Sequence, residues 1–166
     1  MKVKLLAGVV LIAVVALALG INNARATDFS LPDLSGSCTN ANSSFSTAIT
    51  ADTLTNAYAF QVNITFDNSQ VRPMSYSMGS AFTGGTALQR NATGTYVVGF
   101  TFQGSTSGYS ASSSTTLFTM NWKTKVYHAQ TTFSFVTTGA LGSLLLDNNL
   151  SAQSFTTTNG VYTCNL

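Results

Sequence analysis

Tyr58-Ala59-Phe60-Gln61-Val62-Asn63-Ile64-Thr65-Phe66 decides the fold class. Large apolar side chains take every second position and small or polar ones the positions between. Successive side chains of an extended chain point to opposite sides, so this is a strand with one buried face. Asp67-Asn68-Ser69 follows with turn chemistry. A second strand then places Met74, Tyr76 and Met78 on one side, and Pro73 suits an edge position because it cannot donate to a ladder.

The same period returns further along the chain. Tyr96, Val98, Phe100 and Phe102 are in phase within 95–102, and Phe118, Met120 and Trp122 within 116–122. Lys123-Thr124-Lys125 is read as the turn of a hairpin into 127–136, where Tyr127, Ala129, Thr131, Phe133 and Phe135 share a face. Near the C-terminus, Asn159-Gly160 separates two Thr-rich runs and matches the preferred two-residue type I′ hairpin turn. Shorter strands are expected at Phe45 to Ile49, Ala87 to Arg90 and Leu144 to Leu146. The Ser/Gly-rich interval Gly104 to Ser114 is expected to be an exposed loop. No segment after the first 26 residues holds a helical period. The fold class is therefore all-β, an antiparallel β-sandwich, with an up-and-down β-barrel as the alternative that periodicity cannot separate from it.

The chain begins differently. Lys2 and Lys4 precede an apolar run from Leu5 to Leu19, followed by Ala24-Arg25-Ala26. A charged start, an apolar run too short to span a bilayer and a small-x-small site describe a cleavable signal peptide. Residues 1–26 are assigned to the leader and 27–166 to one antiparallel β domain. The destination is extracytoplasmic: secreted, periplasmic or cell surface, with no membrane attachment after signal cleavage.

Removing the leader lowers seven basic residues to four, Arg72, Arg90, Lys123 and Lys125, against five Asp and no Glu. Read along the sequence, these cations form no cluster able to neutralise a row of phosphates, which excludes nucleic acid as a partner. Ser, Thr, Asn and Gly supply the polar surface. Cys38 and Cys164 lie near the two ends of the mature region, and in an oxidising compartment they are expected to form a disulfide joining the terminal strands.

Catalytic chemistry finds little support. His128 is the only histidine, and it is expected to point to solvent. Gly104-Ser105-Thr106-Ser107-Gly108 resembles a nucleophile elbow but carries Thr at its centre and lacks a following helix. Asp28, Asp33, Asp52, Asp67 and Asp147 are dispersed. No cofactor or metal motif is present, and the chain is read as not an enzyme. Asn42, Asn63, Asn91 and Asn149 head N-x-Ser/Thr sequons and are candidate glycosylation acceptors, with Asn63 on the polar face of its strand. Their number carries no weight, since eleven mature Asn in so Ser/Thr-rich a chain give roughly four matches by chance.

The function that follows is a non-catalytic secreted or cell-surface domain acting by contact, as an adhesion, envelope or fibre subunit. Its partners would be further copies of itself, with Thr27 to Gly36 as an extended arm, or another surface protein. Two alternatives remain: a barrel whose aromatic residues hold a small apolar ligand, and a secreted enzyme inhibitor presenting the loop Gly104 to Ser114.

Overall fold

A computed structural model describes residues 26–38, 40–104 and 107–165. The expected signal peptide, apart from Ala26, lies outside the described residues, as do Ser105 and Thr106. Thirteen strands make up the described chain: β1 (Thr27–Ser30), β2 (Leu34–Ser37), β3 (Ser44–Ala51), β4 (Leu54–Thr65), β5 (Val71–Met78), β6 (Gly85–Ala92), β7 (Thr95–Phe102), β8 (Tyr109–Ala111), β9 (Thr115–Thr124), β10 (Gln130–Phe135), β11 (Leu144–Asp147), β12 (Phe155–Thr158) and β13 (Gly160–Asn165). One sheet has the order β12-β1-β3-β9-β5. The other has the order β2-β13-β10-β4-β7-β6, with β8 and β11 also paired to β4. The two stack as a β-sandwich. No helix among the described residues is long and apolar enough to cross a membrane.

From Phe60 onward the founding stretch behaves as its pattern requires, whereas Tyr58 stays outside the core and its hydroxyl donates to Gly104 O at the surface. Phe60, Val62 and Ile64 are buried on one side of β4, and Phe66 just beyond it is buried too. They meet the inner face of the opposing sheet directly: Phe60 lies 6.4 Å from Phe118, and Phe66 lies edge-on to Trp122 at 4.9 Å. Trp122 also packs on Phe133 at 4.8 Å, and Phe45 stacks on Tyr162 at 3.7 Å. The aromatic faces therefore fill the space between two sheets instead of lining a lumen, which settles the choice between sandwich and barrel.

Both expected hairpins turn out to be crossings between sheets. Strand β9 pairs with β3 and β5, whereas β10 pairs with β13 and β4, so the chain passes from one sheet to the other after Thr124. Two strands with identical alternation can pair side by side or face each other across a core, and Trp122 against Phe133 is the second case. The crossing leaves Tyr127 exposed, outside the face shared by Ala129, Thr131 and Phe133. Likewise β12 pairs with β1 and β13 with β10 and β2. Neither Asn159 nor Gly160 has the positive φ a type I′ turn demands.

Three smaller expectations are also corrected. A bulge between Pro73 and Ser75 puts Met74 out of phase and exposes it, although Pro73 does sit on an edge strand. The interval Gly104 to Ser114 contains β8, paired with the start of β4. The segment 27–36 is no free arm: β1 runs parallel to β12 and β2 parallel to β13, with Leu31 buried between them. The ladders are otherwise antiparallel.

Candidate functional site

Cys38 and Cys164 are joined, with Cα atoms 5.7 Å apart. The parallel pairing of β2 with β13 sets Cys164 opposite Gly36 and so carries Cys38 alongside it. Tyr162 covers the bridge, its hydroxyl 3.5 Å from Cys38 Sγ, and burial pushes that hydroxyl's pKa up. This is a structural clasp with no open thiol.

Among the described residues, Asp28 and Asp52 are neighbours, the Asp28 N–H donating to Asp52 Oδ1, while His128, Asp67 and Asp147 lie in separate turns and strand ends. His128 is exposed in the turn after β9, with φ of 51°. Asp67 and Asp147 close local turns: Asp67 accepts from the Ser69 N–H and hydroxyl, and Asp147 from the N–H groups of Asn149 and Ser151. The Ser69 hydroxyl, then its N–H, hold the Asp67 carboxyl below its ordinary value, helped by Lys125. Among the described residues no three His, Cys, Asp or Glu side chains come close enough to hold a metal ion.

The four sequon asparagines differ in access. Asn42, Asn91 and Asn149 are exposed. Asn42 also accepts a hydrogen bond from the Arg72 guanidinium. Asn63, expected on an open polar face, is only 6% exposed. Its side-chain N–H donates to Leu141 O, its backbone N–H donates to Ser143 Oγ, and the neighbouring Gln61 amide donates to Gly142 O. These bonds lay the segment 136–143 over β4.

That same outer face of the eight-stranded sheet carries the most distinctive surface. Register fixes a line across it: Leu88 on β6 is opposite Gly99 on β7, Gly99 opposite Gln61 on β4, and Gln61 opposite Leu144 on β11. At about 4.8 Å per strand the two leucines stand roughly 14 Å apart. Leu88 is 72% exposed, and Leu141 and Leu144 are exposed on the far side. Gly99 leaves the floor between them flat, although a Cβ there would find its nearest neighbour, Phe60 O, at 3.8 Å. One row along, Val97 lies opposite Asn63 and Arg90, and Arg90 brings the only formal charge to these two rows. Alternation within single strands cannot reveal this trough, because it depends on which strands become neighbours and on the fold-back of 136–143.

No protein-family model matches the sequence, and no curated protein matches it. Solved structures do match the fold. A cohesin in a cohesin–dockerin complex from Clostridium thermocellum aligns with a TM-score of 0.69 over 84% of this chain and 94% of that chain, at 10% identity. The third ScaC cohesin of Acetivibrio cellulolyticus, solved with the ScaB dockerin, gives 0.68 over 84% and 99%, at 17% identity. A non-cellulosomal cohesin from the hyperthermophilic archaeon Archaeoglobus fulgidus gives 0.66 over 85% and 92%, at 10% identity. At these identities the likeness is one of fold, and the chain is a β-sandwich similar to the cohesins.

Proposed function

We propose that this chain is an exported, non-catalytic β-domain that works by binding another protein, and that the outer face of the eight-stranded sheet is its contact surface. The observation that carries the reading is the trough between Leu88 and the Leu141–Leu144 pair. Exposed leucines flanking a flat, nearly uncharged floor mark a surface built for contact, since isolated apolar side chains need no such arrangement. Two of the solved cohesins it is similar to were determined with dockerins, which supports a protein as the partner class. The disulfide supports an extracytoplasmic address. Adhesion, envelope or fibre roles all use such a surface.

The test is capture of partners from the source cell's own surface fraction by the wild-type protein and by the double variant Leu88→Asp, Leu144→Asp. Both substituted positions are exposed, so folding should survive, as checked by an unchanged melting curve. The proposal expects a partner retained by the wild type and lost, at least tenfold, with the variant. Equal capture by both proteins would remove this face from the function.

A further inference from the structure

We infer that copies of this chain associate end to end, the basic end of one molecule docking on the acidic end of the next. The inference rests on how the fold gathers charges that are far apart in sequence. Strand β3 begins with Ser44 opposite Lys123, and Arg72, the second residue of β5, lies opposite the same Lys123. Lys125 follows in the adjoining turn, where its ammonium donates to Asn68 O. On the other sheet β7 opens with Thr95 opposite Thr65, the last residue of β4, and β6 closes there, which carries Arg90 to the same end. A shallow cleft lined by Asn68, Arg72, Pro73, Asn91, Ala92 and Thr93 joins the two sides. All four cations of the described residues thus collect at one end, with Asp67 as the single carboxylate among them. The expectation that these cations stay dispersed is corrected by the topology.

The opposite end is acidic. Asp28 on β1 lies opposite Thr156, and Asp52 follows directly on Ala51, its N–H donating to Asp28 O. Asp147 lies opposite Ala57, near the start of β4. Asp33, at the crossing from β1 to β2, accepts from the Val161 N–H. Each end also presents apolar surface. Tyr127, 60% exposed, projects beside Lys125 at the basic end, and Leu150, 65% exposed, projects from the turn that Asp147 closes at the acidic end.

Opposite charges on the two ends of one molecule complement each other only between copies, which selects a second copy as the occupant. The two surfaces differ, so the contact is heterologous, and each addition presents the same free ends again; an open chain results. Exposed ion pairs contribute little each and are screened within about 8 Å at physiological salt, so the charges align the ends while Tyr127 and Leu150 provide the anchor. The association should be weak, concentration-dependent and sensitive to salt. It uses neither Leu88 nor Leu144, and Arg90, one row from the trough, is the residue the two surfaces share.

Sedimentation velocity over a protein concentration series, at low and at high sodium chloride, tests it. The expected result is a weight-average mass that climbs with concentration at low salt and returns to the monomer at high salt. Lys125→Glu and Tyr127→Ser at one end, or Leu150→Asn at the other, should each reduce self-association at least tenfold, whereas Leu88→Asp should leave it unchanged. Asn suits position 150 because its φ is 61°. A monomer at every concentration in low salt overturns the inference, as does association that ignores both salt and Lys125→Glu. Salt-sensitive retention on heparin by a protein that stays monomeric would assign the basic end to an anionic polymer instead, and would equally overturn it.

Discussion

Gly160 illustrates how a correct residue can be read for the wrong reason. In sequence it completes an Asn-Gly pair that signals a hairpin. In the fold its missing side chain makes room: a Cβ there would sit 2.5 Å from Pro32 O and 2.8 Å from Leu31 O, where the chain crosses between β1 and β2. Asn159 likewise serves a neighbour, accepting a hydrogen bond from the Phe135 N–H. Gly160→Ala should therefore cost about 1–3 kcal/mol by forcing backbone apart. Gly99→Ala, where a Cβ meets nothing nearer than 3.8 Å, should cost much less. Urea unfolding of the two variants checks this, and equal losses would show that the crowding at Gly160 is relieved without cost. Close approach of two distant backbones leaves no mark in a local sequence window, which is why a turn was the available reading.

At the scale of elements, alternation reports which side of a strand is buried and nothing about which strand lies beside it. Phe60, Val62, Ile64, Phe118 and Trp122 were legible as core positions for that reason. The pairing of β9 and β10 was not legible, since their facing across the core and a hairpin share one pattern. Asn63 shows the limit most sharply: its outward direction follows from the period, but its burial follows from the segment 136–143 folding back over it. That has a consequence for modification. In a host that glycosylates sequons, peptide mass spectrometry should find Asn63 unoccupied, with any glycan confined to Asn42, Asn91 and Asn149. Substantial occupancy at Asn63 would mean that 136–143 closes over β4 only after the glycan is attached, or not at all.

For the whole molecule, the aromatic core and the clasp divide the work of stability. The leader, the compartment it implies and the pairing of Cys38 with Cys164 were all inferred from sequence, and the pairing is present in the fold. What sequence could not supply was the level at which each charge would come to rest along the strands, so the polarity of the molecule emerged only with the topology. In the chain-entropy view, linking residues 126 apart in sequence stabilises the fold by about 5 kcal/mol, by restricting the unfolded chain. Replacing both cysteines with Ser should lower unfolding stability by up to about that amount while leaving the two-sheet circular dichroism signature intact. A double variant as stable as the parent would show that the β2–β13 pairing and the core around Tyr162 suffice without it.

The bridge also changes what kind of object the chain is. Because it joins Cys38 to Cys164, the chain from 38 to 164 is a covalent ring. A protease that nicks an exposed connection, such as residues 125–128 between β9 and β10, opens the ring and releases nothing. Both sheets stay tethered, and the cut ends remain close enough for the fold to persist. Fragments separate only when a reductant arrives, so this domain can be cut once and still remain a single molecule.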